Sequence, residues 1–219
     1  MVRLILLCLF GCFALTLGEE PKPLLTDDFT KGADRWQPTD PKAWKVIDTK
    51  EGKAFSQHAQ SKYKPPHRSP LNYALLKDVL VGDFTLTAKV QSTTRDYGHR
   101  DLCLFFGHQG PDRFYYAHLA KKADDRANQI FIVNKADRKK ISKTSTDGTA
   151  WTDGWHTLKL VRKVSDGTIA VYFDDMTKPV MTAVDKTFTW GAVGIGSFDD
   201  TGNWRDIRLE GVKVEKPKE

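Results

Sequence analysis

Two short stretches gather side chains that could do chemistry. In "RDYGHRD", residues 95–101, Arg95, Asp96, Tyr97, His99, Arg100 and Asp101 crowd together. Guanidinium groups suit a carboxylate or a pair of hydroxyls, and Asp96 or Asp101 could carry acid or base work. In "FYYAHLA", residues 114–120, Phe114, Tyr116 and His118 recur at every second position. An extended backbone sets them on one face, where an isolated solvated histidine is unexpected. Tyr116 and His118 would then supply an aromatic surface and a titratable group, with the Asn134 amide on the following run. Each reading has a plainer rival. The first stretch could be a charged connection between strands, and His118 could be a core histidine satisfied by a neighbour.

The elements that must position these groups read as strands. Helical periodicity is nearly absent, and β signals recur at 43–49, 83–94, 102–106, 114–119, 130–133, 155–164, 168–175, 192–198 and 204–215. Many short strands separated by turn residues predict a two-layer antiparallel β-sandwich or a barrel. Phe84, Leu86, Ala88 and Val90 alternate with Thr85, Thr87, Lys89 and Gln91, which is one dry face and one wet one. "SDGT" at 165–168 supplies an Asp-Gly hairpin turn, and two more Asp-Gly pairs lie between 146 and 155. The polar, proline-rich segment 56–70 reads as a surface loop within one domain. The three central runs are apolar at odd and even positions alike, so something must cover a second face.

The chain begins "MVRLILLCLFGCFALTLG": one Arg3, an apolar run and Gly18 at a suitable cleavage position. This predicts a secretory signal peptide over residues 1–18 and a mature chain from residue 19, secreted or periplasmic. A retained membrane anchor is disfavoured by the short run, and "LFGC" loosely matches a lipobox that would place a lipid on Cys12. Removal of the leader leaves Cys103 alone, inside an apolar strand, as a buried inert thiol, and no CxxC or Cys/His spacing points to zinc. The formal net charge is +6, or +5 without Arg3. This modest basicity, spread along the chain, fits a solvated surface with some attraction for acidic glycans, and an exported chain without a binding motif is not expected to take nucleic acid.

"GWHTLKLVRKVSDGTIAVYFDD" followed by "GAVGIGSFDDTGNWRDIRL", with the opening "LLTDDFTKGADRWQP", resembles a concanavalin A-like jelly-roll domain. Within that lectin and glucanase superfamily it is similar to modules described as laminin G-like or as family 16-like 3-keto-disaccharide hydrolase domains. The resemblance covers residues 25–214. It implies an all-β, two-sheet jelly roll whose concave sheet faces a glycan groove lined by Arg95, His99, Arg100, Asn134, Tyr116 and His118. The rival reading is that loops such as 56–72 cover that sheet.

The resemblance also bears on chemistry. The glucanases of this superfamily carry an E-x-D-x-x-E strand, and nothing here matches it. Catalysis, if present, would fall to His118, Tyr116 and Asp101, as a 3-keto-disaccharide type of hydrolase or as a lyase of acidic polysaccharides; the lyase signature strands are not reproduced. Related jelly rolls imply a structural calcium near Asp28 and Asp206, against which stand ordinary surface acids near turns. The expected partner is therefore a carbohydrate, with a glycan-active enzyme and a protein-interaction module as the alternatives.

Overall fold

A strand that alternates apolar and polar residues must bury one face. The longest such run becomes β6, where Phe84, Leu86, Ala88 and Val90 are buried and the residues between them are not. In the computed structural model, which describes residues 23–217, the chain forms strands and one short 3₁₀ turn. The signal peptide and Cys12 expectations lie outside these residues.

The first strands are β1 (Leu25–Asp27), β2 (Trp36–Pro38), β3 (Trp44–Thr49), β4 (Gly52–Gln57), β5 (Asn72–Leu76), β6 (Leu80–Ser92), β7 (Asp101–Gly110) and β8 (Arg113–Ala120). There follow β9 (Gln129–Asn134), β10 (Lys139–Lys140), β11 (Ser142–Ser145), β12 (His156–Arg162), β13 (Thr168–Phe173), β14 (Met181–Val184), β15 (Ala192–Ser197) and β16 (Gly202–Val214). One sheet runs β11-β14-β13-β12-β6-β16-β4-β3, with β1 also on β16; the other runs β10-β9-β8-β7-β15-β5-β2. All pairs are antiparallel, and the Asp-Gly turn at Gly167 joins β12 to β13 with a positive φ of 82°.

The main core lies between the sheets. Leu102, Leu104 and Phe106 of β7, Tyr115 and Leu119 of β8 and Ile130 of β9 meet Leu86, Val90, Leu158 and Leu160 from the facing sheet. The intervening residues of β7–β9 point the other way and form a second apolar cluster: Cys103, Phe105, Phe114, Tyr116, Phe131 and Val133, joined by Tyr73 of β5. Two glycines of β15 make room for it. Gly194 and Gly196 stand opposite Phe105 and Cys103, and a Cβ at Gly196 would come within 2.0 Å of the Asn72 carbonyl oxygen.

What covers this second face is the loop between β4 and β5. Tyr63 packs edge-on against Tyr73, with ring centroids 5.9 Å apart. At the far side the Arg68 amide donates to Asp137 Oδ1 at 2.9 Å, and the Arg138 amide donates to the Arg68 carbonyl at 3.1 Å. The loop therefore crosses from β5 to the turn between β9 and β10. Arg138 adds a guanidinium 4.7 Å from the Phe131 ring centroid. Beneath this cover Phe105, Phe114 and Tyr116 are fully buried, so the aromatic groove expected from the resemblance is roofed, as the rival reading had it. Leaving those rings wet would forfeit roughly 1.5–3 kcal/mol each.

Candidate functional site

The register of β7 and β8 builds the site. Cys103 stands opposite His118, and Asp101, two residues before Cys103, falls on the same face. His118 Nε2 thereby lies 2.8 Å from Asp101 Oδ2, and both side chains are buried. The same Oδ2 accepts from the Phe198 amide at 3.0 Å and from the Cys103 thiol at 3.3 Å. Asp101 Oδ1 is shut off from solvent and has no hydrogen-bond partner. On the other side of the imidazole, Nδ1 sits 3.0 Å from the Arg126 carbonyl oxygen, and the ring stacks on Phe198 at 5.7 Å.

The turn after β15 completes the cluster. Ser197 Oγ donates to the Asp200 carbonyl at 2.6 Å, which curls the chain so that Asp199 and Asp200 approach Asp101. Asp200 is buried; its Oδ2 accepts from the Asp101 amide at 2.8 Å and its Oδ1 from the Tyr97 hydroxyl at 2.9 Å. Burial first, and then the Asp101 charge, hold the Asp200 carboxyl well above the usual carboxylate range. Asp199 keeps an exposed edge, yet lost hydration and the Asp101 charge also raise its carboxyl, while His118, Arg138 and His99 pull it back. Burial likewise raises the Cys103 thiol, ahead of the neighbouring Asp101 charge.

Three of the residues singled out in the sequence, Asp101, Tyr116 and His118, thus come together, the last two with rings 6.3 Å apart. Tyr116 has no exposed surface and takes a hydrogen bond from Arg138 at 2.9 Å, so it is not an open platform. His99 stands at the rim, paired with Asp124 at 2.8 Å. Arg95 lies over the Tyr97 ring. Arg100 points between the sheets, because alternation puts it opposite in sense to Asp101, and it is buried against Ser92. Asn134 pairs with Arg113 at the other end of the β8–β9 ladder from His118, which pairs with Gln129.

Asp28 and Asp206 line one cleft of about 600 Å³ near the start of the fold. As side chains they fit calcium poorly. Asp28 Oδ1 is taken by the Thr30 hydroxyl at 2.6 Å and amide at 3.0 Å, while Asp206 Oδ2 accepts from Arg205 at 3.0 Å. Calcium asks for six to eight converging oxygens. Among the described residues, neither acid belongs to a group of three or more His, Cys, Asp or Glu donors within 4.8 Å of one another; the cluster around Asp101 does. Sequence reasoning met Phe198, Asp199 and Asp200 only as an Asp-rich turn, 197–204, weighed and set aside as a calcium site, and gave Arg138 no role. The Asp-Asp pair directly after the glycine-rich strand was their available signal.

No family model and no curated protein matches this chain. Solved structures do. The carbohydrate binding module CBM66 from Bacillus subtilis superposes with a TM-score of 0.56 at 18% identity, over 81% of this chain and 96% of that one. Lectin I-B4 from Griffonia simplicifolia gives 0.54 at 11% identity, over 84% and 96%. A Bacillus subtilis protein with a galectin-like fold gives 0.57 at 14% identity, over 90% and 99%. At such identities the likeness establishes architecture alone: the chain is a two-sheet antiparallel jelly-roll β-sandwich.

Proposed function

We propose that this chain is an exported carbohydrate-binding module whose glycan meets the rim of the roofed sheet at Phe198, Asp199 and Arg138. The observation that carries the reading is the exposed Asp199 carboxylate beside the partly exposed Arg138, around the half-buried Phe198. Planar polar groups of this kind take vicinal sugar hydroxyls in pairs, and an aromatic edge contacts the apolar side of a pyranose. The roof over Tyr116 directs the ligand to this end, and a basic chain favours acidic glycans. Jelly-roll neighbours described as a carbohydrate binding module and as a lectin support the same class of ligand.

The test is a glycan array with the full chain beside Asp199→Ala and Arg138→Ala, each checked for fold by circular dichroism. Binding by the parent that falls at least about tenfold in both variants is expected, each having lost a charged hydrogen-bonding group. Silence across the array from folded protein would overturn the reading in favour of a protein-interaction module. A glycan-active enzyme is the second reading, favoured by two neighbouring acids at the rim, the exposed Asp199 and the buried Asp200, whose carboxyls burial raises. New reducing ends or unsaturated uronates released from a bound glycan would select it.

A further inference from the structure

We propose that Asp101, Cys103 and His118 form a binding site for a zinc-class divalent cation beneath the Phe198–Asp199 rim. One donor atom from each of the three lies within 4.8 Å of the others, and all three residues are buried. Chain spacing conceals the arrangement, because the pairing of β7 with β8 is what puts Cys103 opposite His118.

Two unsatisfied atoms point to a missing positive charge. Asp101 Oδ1 is buried without a partner, an arrangement that is costly for a charged group. His118 Nε2 is also buried and makes no hydrogen bond, although it is 2.8 Å from Asp101 Oδ2: the ring direction misses that oxygen. The Arg126 carbonyl can only accept, so the imidazole proton belongs on Nδ1. With its proton on Nδ1, the ring keeps on Nε2 a lone pair that no hydrogen bond uses, beside a carboxylate, and a cation coordinated by both groups would satisfy it. A backbone carbonyl on the far nitrogen is also how metal-binding imidazoles are held in orientation. The contrast with His156 is direct: its Nε2 accepts from the Thr152 amide at 3.0 Å and its Nδ1 lies 2.7 Å from Asp174 Oδ2, leaving no atom unused.

The donor set selects the metal. One imidazole nitrogen, one carboxylate oxygen and one sulfur suit zinc or cobalt, whereas calcium and magnesium require oxygen throughout. Three protein donors leave the fourth tetrahedral position open, and Asp199, grouped with Asp101 within the same 4.8 Å, stands on its solvent side. Asp200 has both carboxylate oxygens engaged and serves to hold Asp101. Binding converts the Cys103 thiol to a thiolate with release of its proton to solvent. The site stands apart from the glycan reading, since no sugar enters its test.

That test is a cobalt titration of the full chain after chelator treatment, with zinc as competitor. One equivalent of Co²⁺ is expected, with tetrahedral d–d absorption and a thiolate-to-cobalt charge-transfer band, both abolished by zinc. Cys103→Ser should keep weaker d–d absorption and lose the charge-transfer band. His118→Gln and Asp101→Asn should weaken zinc binding by at least about a hundredfold, since loss of a mere supporting partner already costs ten- to a hundredfold. Absence of any cobalt spectrum or zinc retention in the folded parent chain would overturn the site. So would binding whose spectrum is unchanged in Cys103→Ser, because the metal would then lie elsewhere. The parent titration decides the matter even if a variant fails to fold.

Discussion

The guanidinium of Arg100 closes on Ser92, donating to its carbonyl at 2.8 Å and to its hydroxyl at 3.1 Å. It ties the end of β6 to the connection before β7, and it also reaches Asp153 at 2.9 Å. Asp153 is almost wholly exposed, so that ion pair contributes little and the contacts to Ser92 carry the effect. Replacing Arg100 with Met keeps much of the volume and leaves a buried carbonyl without its donor. A loss of about 2–3 kcal/mol is expected, read from urea unfolding at neutral pH. Glycan affinity of the folded variant should equal that of the parent, because the side chain lies between the sheets.

Gly196 is required by the close approach of β15 to β5. A Cβ there would fall 2.0 Å from the Asn72 carbonyl oxygen and 2.7 Å from Tyr73 Cα, both backbone atoms that move only if the strands part. Gly196→Ala should cost about 3 kcal/mol, the upper end of ordinary overpacking, or prevent folding. Gly110→Ala is the control, since its Cβ would meet only Asp112 Oδ1, at 3.8 Å. It should shift stability by no more than about 0.5 kcal/mol, and equal urea midpoints for the two variants would refute the assignment.

Much of the fold was legible because its long strands alternate. β6 and β12 carry a clean two-residue period, and both-face apolarity in β7–β9 marked a second apolar face, compatible with a groove or with a cover. β5 and β14 passed unseen: "NYALL" and "MTAV" are too short to establish a period. Sequence left open whether the second face was a glycan groove or a roofed surface, because Tyr63 meets Tyr73 through a loop whose path no local rule fixes. The candidate site divided in the same way. Tyr116 and His118 were found by parity, and the same parity, applied to Arg100, would have turned it inward. Asp200 joins Asp101 across 99 residues, a contact set by the pairing of β15 with β7 and invisible to spacing.

Acid should weaken the fold through His108. A bulge at Gly107 returns His108 to the covered face, where it stacks on Phe114 at 5.2 Å with its Nε2 buried and unpartnered. Burial lowers its pKa from 6.5 to about 4, so between those values the unfolded chain binds more protons than the folded one. The contribution is full above pH 6.5 and is lost as pH falls toward 4, with a ceiling of about 3 kcal/mol. His108→Phe keeps a ring and removes the titration. Its loss of stability between pH 7 and about pH 4.5 should be smaller than that of the parent chain, and parallel losses would exclude His108 as the cause.

Tyr63 is the removable piece of the roof. Its ring closes over Tyr73, and Pro65, Pro66 and Pro70 restrict the rest of the loop, lowering the entropy lost when it packs. Tyr63→Ala should cost about 1–2 kcal/mol, for one edge-on aromatic contact and part of a side chain's burial. It should also raise binding of a hydrophobic dye and speed amide exchange over residues 62–68, leaving the β12–β13 ladder protected. Glycan affinity is the decisive readout. A ligand held at the Phe198–Asp199 rim binds the variant as it binds the parent, whereas a ligand seated on the aromatic face must displace the roof and would bind the variant more tightly.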